Sequence, residues 1–177
     1  MRATGIVRRI DELGRVVIPK EIRRTQRIHS GDALEIFTDG KGEVVFKKYS
    51  PLAELGEPAA AYADVLARRL GCGVAVCDRE KIVAAAGAGR SELLGEPLPP
   101  ELDALLARRK LYTAPEGPLH RVALGSRWLL CAAPVLVHGD IEGGVLLPGM
   151  RRDAVPDPET IRAAATAAEF LARWMGE

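Results

Sequence analysis

A chain of 177 residues, 47% hydrophobic and 28% charged, has room for one ordinary domain or two small ones and is too short for a large multidomain enzyme. That balance belongs to a folded protein and excludes a wholly disordered one; no apolar run approaches the ~18 residues of a membrane span and no hydrophobic leader follows Met1, so a cytoplasmic protein without membrane contact is expected. The net charge of +1 hides an asymmetry: residues 1–50 hold 11 Lys+Arg against 7 Asp+Glu, residues 51–177 hold 14 against 17, and the two parts are expected to meet different partners.

Gly5–Ile10 reads as a strand, Asp11-Glu12-Leu13-Gly14 as a turn and Arg15–Ile18 as the returning strand of a hairpin. Pro19 suits the first position of a helix, where its missing N–H is not needed, and Lys20–Thr25 supplies about two turns. Ala33–Thr38 and Glu43–Tyr49, joined by Asp39-Gly40-Lys41-Gly42, form a second strand pair. A β-β-α-β-β unit of this size, with neither disulfide nor metal site, has little apolar surface to offset its chain entropy. Exchanging hairpins with a second copy closes one barrel from both chains and leaves no long edge unpaired, which predicts an obligate homodimer. The change of charge sign, the end of the strand pattern and the Ser50-Pro51 step place the domains at 1–50 and 57–177, with a linker at 51–56.

Beyond the linker, Pro58 marks the start of a helix over Ala59–Leu70, with Ala59, Tyr62/Ala63, Leu66 and Leu70 on one stripe. Gly73–Asp78 and Ile82–Ala86 make a hairpin around Arg79-Glu80-Lys81, and Glu101–Lys110 a helix. Strands follow at His120–Leu124, Trp128–Val137 and Ile141–Leu147, then a last helix from Pro158 to Met175. Helix, two strands, helical insertion, three strands and helix is the order of an α+β antiparallel sheet with flanking helices, of the GAF or PAS kind.

Eight basic residues (Arg2, Arg8, Arg9, Arg15, Lys20, Arg23, Arg24, Arg27) face three acids (Asp11, Glu12, Glu21) within residues 1–30. Guanidinium groups bind phosphate or guanine O6/N7 bidentately, and a β-ribbon or short helix presents them to the major groove, so double-stranded DNA is the expected partner. Few Asn or Gln accompany them, which favours phosphate contacts and DNA shape over a strict code. Asp11, Glu12 and Glu21 read as turn and helix N-terminal residues without a DNA role.

The run from Thr4 to Thr25, continued by Gly31-Asp32-Ala33-Leu34-Glu35-Ile36 and Lys47-Lys48-Tyr49-Ser50-Pro51, closely resembles the AbrB-type DNA-binding domain. Glu54-Leu55-Gly56, Tyr62-Ala63-Asp64, Cys77-Asp78-Arg79 and Phe170-Leu171-Ala172-Arg173 extend the likeness to the stage V sporulation protein T family, regulators of spore development. The resemblance implies a swapped-hairpin barrel followed by a GAF domain and no enzymatic activity. It implies Arg8, Arg15, Arg23 and Arg24 as DNA contacts, with Arg9 at a position usually basic. It also implies flanking helices that join two dimers into a homotetramer, and a small-molecule pocket between the sheet and residues 87–118. Gln26–Ser30 depart from the family's more apolar pattern, which bears on the end of the helix alone.

His29, His120 and His138 are far apart and lack the spacing of a metal site, so neither metal nor cofactor is expected. Cys72, Cys77 and Cys131 form no CxxC pair and read as reduced packing thiols. The alternatives to a regulator are a GAF-fold redox enzyme using those cysteines and an antitoxin of the AbrB type, whose flexible tail contrasts with the folded pattern of residues 57–177.

Overall fold

The computed structural model describes residues 4–117 and 121–176. The chain separates into two compact units that meet in sequence between Tyr49 and Ser50, and each is built on its own.

The N-terminal unit contains helix α1 (Lys20–Thr25) and strands β1 (Leu34–Thr38) and β2 (Val44–Lys48), paired antiparallel with Ile36 opposite Phe46. Pro19 is the N-cap of α1, one place earlier than expected, with extended backbone at φ −57° and ψ 148°. The expected strands over Gly5–Ile10 and Arg15–Ile18 form no ladder in the single chain. What exists of that hairpin is its turn, where Asp11 N–H donates to Arg15 O (3.0 Å) and Gly14 N–H to Asp11 O (2.9 Å). Ile6, Val7, Ile10, Val16 and Val17 are consequently exposed, Val7 to 84%.

Residues 51–56, expected as a linker, are helical instead. Ser50 caps α2 (Pro51–Glu54) by accepting from Ala53 N–H, Pro51 occupies the first turn, and Leu52 is fully buried. Helix α3 (Gly56–Leu70) follows at once, so Pro58 lies inside its first turn and does not start it. Gly71, in the left-handed conformation at φ 64°, ends α3.

The remaining elements are β3 (Val74–Cys77), β4 (Ile82–Ala86), α4 (Arg90–Leu93), α5 (Pro100–Leu106), β5 (Tyr112–Thr113), β6 (Ala123–Leu124), β7 (Arg127–Val137), β8 (Asp140–Gly149) and α6 (Pro158–Met175). The antiparallel sheet runs β4-β3-β8-β7-β5, with β6 paired to β7. The expected strand at His120–Leu124 shrinks to Ala123–Leu124, and His120 lies outside the described residues. The expected helix at Glu101–Lys110 is the shorter α5. Pro158 opens α6 as expected, behind Asp157 as N-cap.

Alternation along the strands produces two cores. Val74, Val76, Cys131, Ala133, Val135, Val145 and Leu147 pack against Ala59, Ala63 and Leu66 of α3 and Ala164, Ala167, Ala168 and Leu171 of α6. On the opposite face Ala75, Cys77, Leu129, Ala132 and Leu146 pack against Leu93, Leu98, Leu102 and Leu106 of the insertion. Leucine side chains of the insertion thus close against this face of the sheet, burying apolar area at ~25 cal/mol per Å², while Gly87, Gly89, Arg90, Ser91 and Leu94 line an open cleft at the start of the insertion. This is the α+β, GAF-like unit that the element order implied.

Candidate nucleic-acid interface

Asp11 organises the turn that carries Arg15. Its Oδ1 accepts from Leu13 N–H (3.0 Å) and Arg15 N–H (2.8 Å), and its Oδ2 from Arg15 Nε–H (2.8 Å). Gly14 adopts φ 75°, a conformation that favours glycine, and lets the chain reverse. The backbone N–H of Arg15, followed by its guanidinium, holds the Asp11 carboxyl below its ordinary value. Arg15 itself stays largely in solvent, with 70% of its side chain accessible.

The other sequence-derived residues are exposed as well. Arg8 and Arg9 precede the turn, and Arg8 Nη1 donates to Val7 O at 2.9 Å. Arg23 and Arg24 share the last turn of α1, where two cations meet the negative end of the helix favourably. Ile28 N–H closes that end by donating to Arg23 O (2.7 Å), and Lys48 Nζ donates to Arg27 O (2.5 Å), tying β2 to the chain after the helix. The structure thus groups Arg23 with Arg24 on α1, and sets Arg8, Arg9 and Arg15 on the two arms of one turn. It also gives Asp11 a part in placing Arg15 that the sequence reading withheld. The available signal was an Asp four residues before an Arg across an Asx-type turn.

The second hairpin repeats the device. Asp39 N–H donates to Glu43 O (3.1 Å) and Gly42 N–H to Asp39 O (3.4 Å), while Asp39 Oδ1 accepts from Lys41 and Glu43 N–H at 3.1 and 2.7 Å. Lys47 lies over the Phe37 ring, 4.4 Å from its centre.

Cys77 and Cys131 are buried on opposite faces of the sheet, in different cores. Burial pushes the Cys77 thiol far up, Cys131 up to about 12, and Cys72 upward with help from Asp157. No group of three metal-ligating side chains occurs among the described residues, nor is any helix there long and apolar enough to cross a membrane. His29 sits 3.6 Å from Asp32 Oδ2 at an exposed turn, and His138 holds φ 50° between β7 and β8.

Residues 54–176 match the family model "Stage V sporulation protein T C-terminal, transcription factor", and residues 7–53 match "Antidote-toxin recognition MazE, bacterial antitoxin". The chain is 42% identical to "Stage V sporulation protein T" of Bacillus subtilis (strain 168) over 178 aligned residues, 99% of both chains. It is 59% identical over 51 residues to "Transition state regulatory protein AbrB" of the same organism, 29% of this chain and 52% of that one. Among solved structures, a type II free methionine-R-sulfoxide reductase from Thermoplasma acidophilum aligns at 15% identity and a TM-score of 0.51, covering 68% of this chain and 94% of that one, a likeness of fold alone. The AbrB-type recognition domain implies DNA binding, and the chain belongs to the stage V sporulation protein T family of transcription factors, which are not enzymes.

Proposed function

We propose that the chain regulates sporulation genes as a homodimer whose N-terminal units exchange hairpins and grip double-stranded DNA through Arg8, Arg9, Arg15, Arg23 and Arg24. The observation that carries this reading is the unladdered hairpin. Ile6, Val7, Ile10, Val16 and Val17, with Ile36, Phe37, Val44 and Phe46 of β1 and β2, are all at least 38% exposed. So much unburied apolar surface in one small unit is the mark of an interface, and two arms without ladder partners supply the backbone groups for intermolecular pairing. The dimer doubles the number of arginines on one DNA face, and their number suits a large share of phosphate contacts and degenerate sites.

The C-terminal unit joins dimers into a tetramer and passes a small-molecule signal to the DNA-binding units.

Fluorescence anisotropy of a labelled promoter-length duplex at several salt concentrations tests the DNA face, and light scattering on the same samples tests the assembly. The wild type should bind with a slope of about −0.9 in log K against log salt per phosphate contacted, and the Arg15→Ala/Arg23→Ala variant should lose most of that binding. Wild-type affinity in the variant would place the interface elsewhere, and a monomer at micromolar concentration would remove the swapped barrel.

A further inference from the structure

The turns at Asp11 and Asp39 are two copies of one structure. In both, an Asp N–H bonds the carbonyl four residues on, a glycine three residues on returns its N–H to the Asp carbonyl, and Oδ1 accepts the N–H groups two and four residues on. Gly14 and Gly42 both take positive φ, 75° and 85°. They differ at the fourth position. There the first turn has Arg15, whose Nε–H reaches back to Asp11 Oδ2, and the second has Glu43, which has no proton to donate to Asp39. The Asp39 turn closes without a cation, so the Asp11–Arg15 side-chain bond is not what makes the first turn close.

We infer that Asp11 is a positioning residue, which holds Arg15 for a base edge and against indiscriminate phosphate binding. The inference rests on the reading of Arg15 as a DNA contact. Two backbone N–H bonds fix the carboxylate, so the bond to Nε fixes the guanidinium in turn and leaves the donors on Nη1 and Nη2 to a partner. The pair is electrically near neutral. A near-neutral pair gains less from a phosphate and releases fewer counterions than a free cation does, whereas guanine O6 and N7 are dipolar acceptors that a fixed guanidinium fork fits bidentately. The same bonds hold the Asp11 carboxyl low, so it carries its charge at neutral pH. A free arginine at the same place would follow the stronger field of the backbone and report no sequence.

The test uses the full-length protein and two duplexes: the tightest binder recovered by the wild type from a randomised pool, and a scrambled version of it. D11N retains an oxygen for the two backbone N–H groups and loses the charge; R15K retains the charge and loses the fork. D11N should bind the scrambled duplex more tightly, with a salt slope steeper by about 0.9 for each phosphate newly engaged. Its preference for the selected duplex should fall roughly fivefold or more, and R15K should lose preference to a similar extent. Melting curves of both variants, expected to match the wild type, keep a folding defect from passing as a change of specificity. If D11N melts early, Asp11→Ser, whose hydroxyl can still accept a backbone N–H without carrying charge, takes its place, with the same change of slope and preference expected. A wild type without preference between the duplexes, or a D11N variant with unchanged slope and preference, overturns the inference. Wild-type binding by R15A overturns instead the reading of Arg15 as a DNA contact.

Discussion

Ser50 Oγ donates to Asp78 Oδ2 at 3.0 Å while accepting from Ala53 N–H at 3.2 Å, so one hydroxyl both caps α2 and fastens it to the turn between β3 and β4. Asp78 is 4% exposed, and its Oδ1 also takes Glu80 N–H (2.7 Å) and Lys81 N–H (2.8 Å). Removing the carboxylate takes away the acceptor shared by the Ser50 hydroxyl and the Glu80 and Lys81 N–H groups and leaves a gap at the buried Asp78 position. Asp78→Ala should therefore cost about 2–3 kcal/mol in the C-terminal unit, read as a lower urea midpoint at constant slope. Asp78→Asn keeps an oxygen for the backbone groups and should cost less than half of that. Equal losses would mean that the charge, and not the acceptor geometry, holds the turn.

Gly143 sits in β8 at φ 157° against the other side of this junction. A Cβ there would overlap the Cys77 carbonyl and come 2.5 Å from Leu52 Cδ1 and 2.9 Å from Asp78 Cα. The obstructing atoms include backbone of β3, which cannot rotate away. Gly143→Ala should destabilise the C-terminal unit by on the order of 3 kcal/mol, lowering its thermal transition by many degrees while the N-terminal unit melts as before. A variant with an unchanged transition would show that α2 and β3 separate easily, against the full burial of Leu52 and Cys77.

Long, strongly patterned elements were legible in the sequence because local chemistry and packing agree there. Pro158 announces the start of α6, and Ala164, Ala168 and Leu171, spaced three or four apart, are buried, joined by Ala167, which that spacing does not single out. Short elements were not. Arg90–Leu93 and Tyr112–Thr113 are too brief to show a period, and they exist because neighbouring strands and leucines hold them. The 51–56 segment reads as a linker from its proline and charge change, yet Leu52 has a place in the core that only the tertiary structure supplies. At the candidate site, charge and motif single out Arg8, Arg9, Arg15, Arg23 and Arg24, the residues proposed to meet DNA. The bond from Asp11 to Arg15 depends on a turn geometry that hydropathy does not register, although its repeat at Asp39 is visible once Asp-x-x-Gly is sought at both places.

Thiol chemistry gives a separate check on the two cores. Cys77 and Cys131 are fully buried and Cys72 is partly exposed. At mildly alkaline pH a water-soluble thiol reagent should modify Cys72 first, more slowly than a free cysteine because burial and Asp157 disfavour its thiolate. Cys131, raised to about 12, and Cys77 should react only on unfolding, so that all three label in urea. Mass spectrometry after timed quenching reads this directly. Prompt labelling of Cys131 in the native protein would mean that α6 lifts from the sheet and opens that core.

Acid should weaken the unit through the cap of α6. Asp157 Oδ1 accepts from Glu159 and Thr160 N–H, both at 2.9 Å, and Oδ2 from Thr160 Oγ at 2.7 Å. The Thr160 hydroxyl, then its backbone N–H, hold the Asp157 carboxyl below the ordinary 3.8. A carboxyl whose folded value is depressed stabilises the fold above its unfolded value and loses that contribution as pH falls through the folded one. The melting temperature of the C-terminal unit should therefore drop as pH passes below 3.8, and drop less in Asp157→Asn, which caps the helix without titrating. Asp157→Ala should melt earlier than either at neutral pH, since it leaves the first turn of α6 without its acceptor. An Asp157→Asn variant as acid-sensitive as the wild type would assign that dependence to other carboxylates, with Asp153, held low by Arg151, the first to exchange.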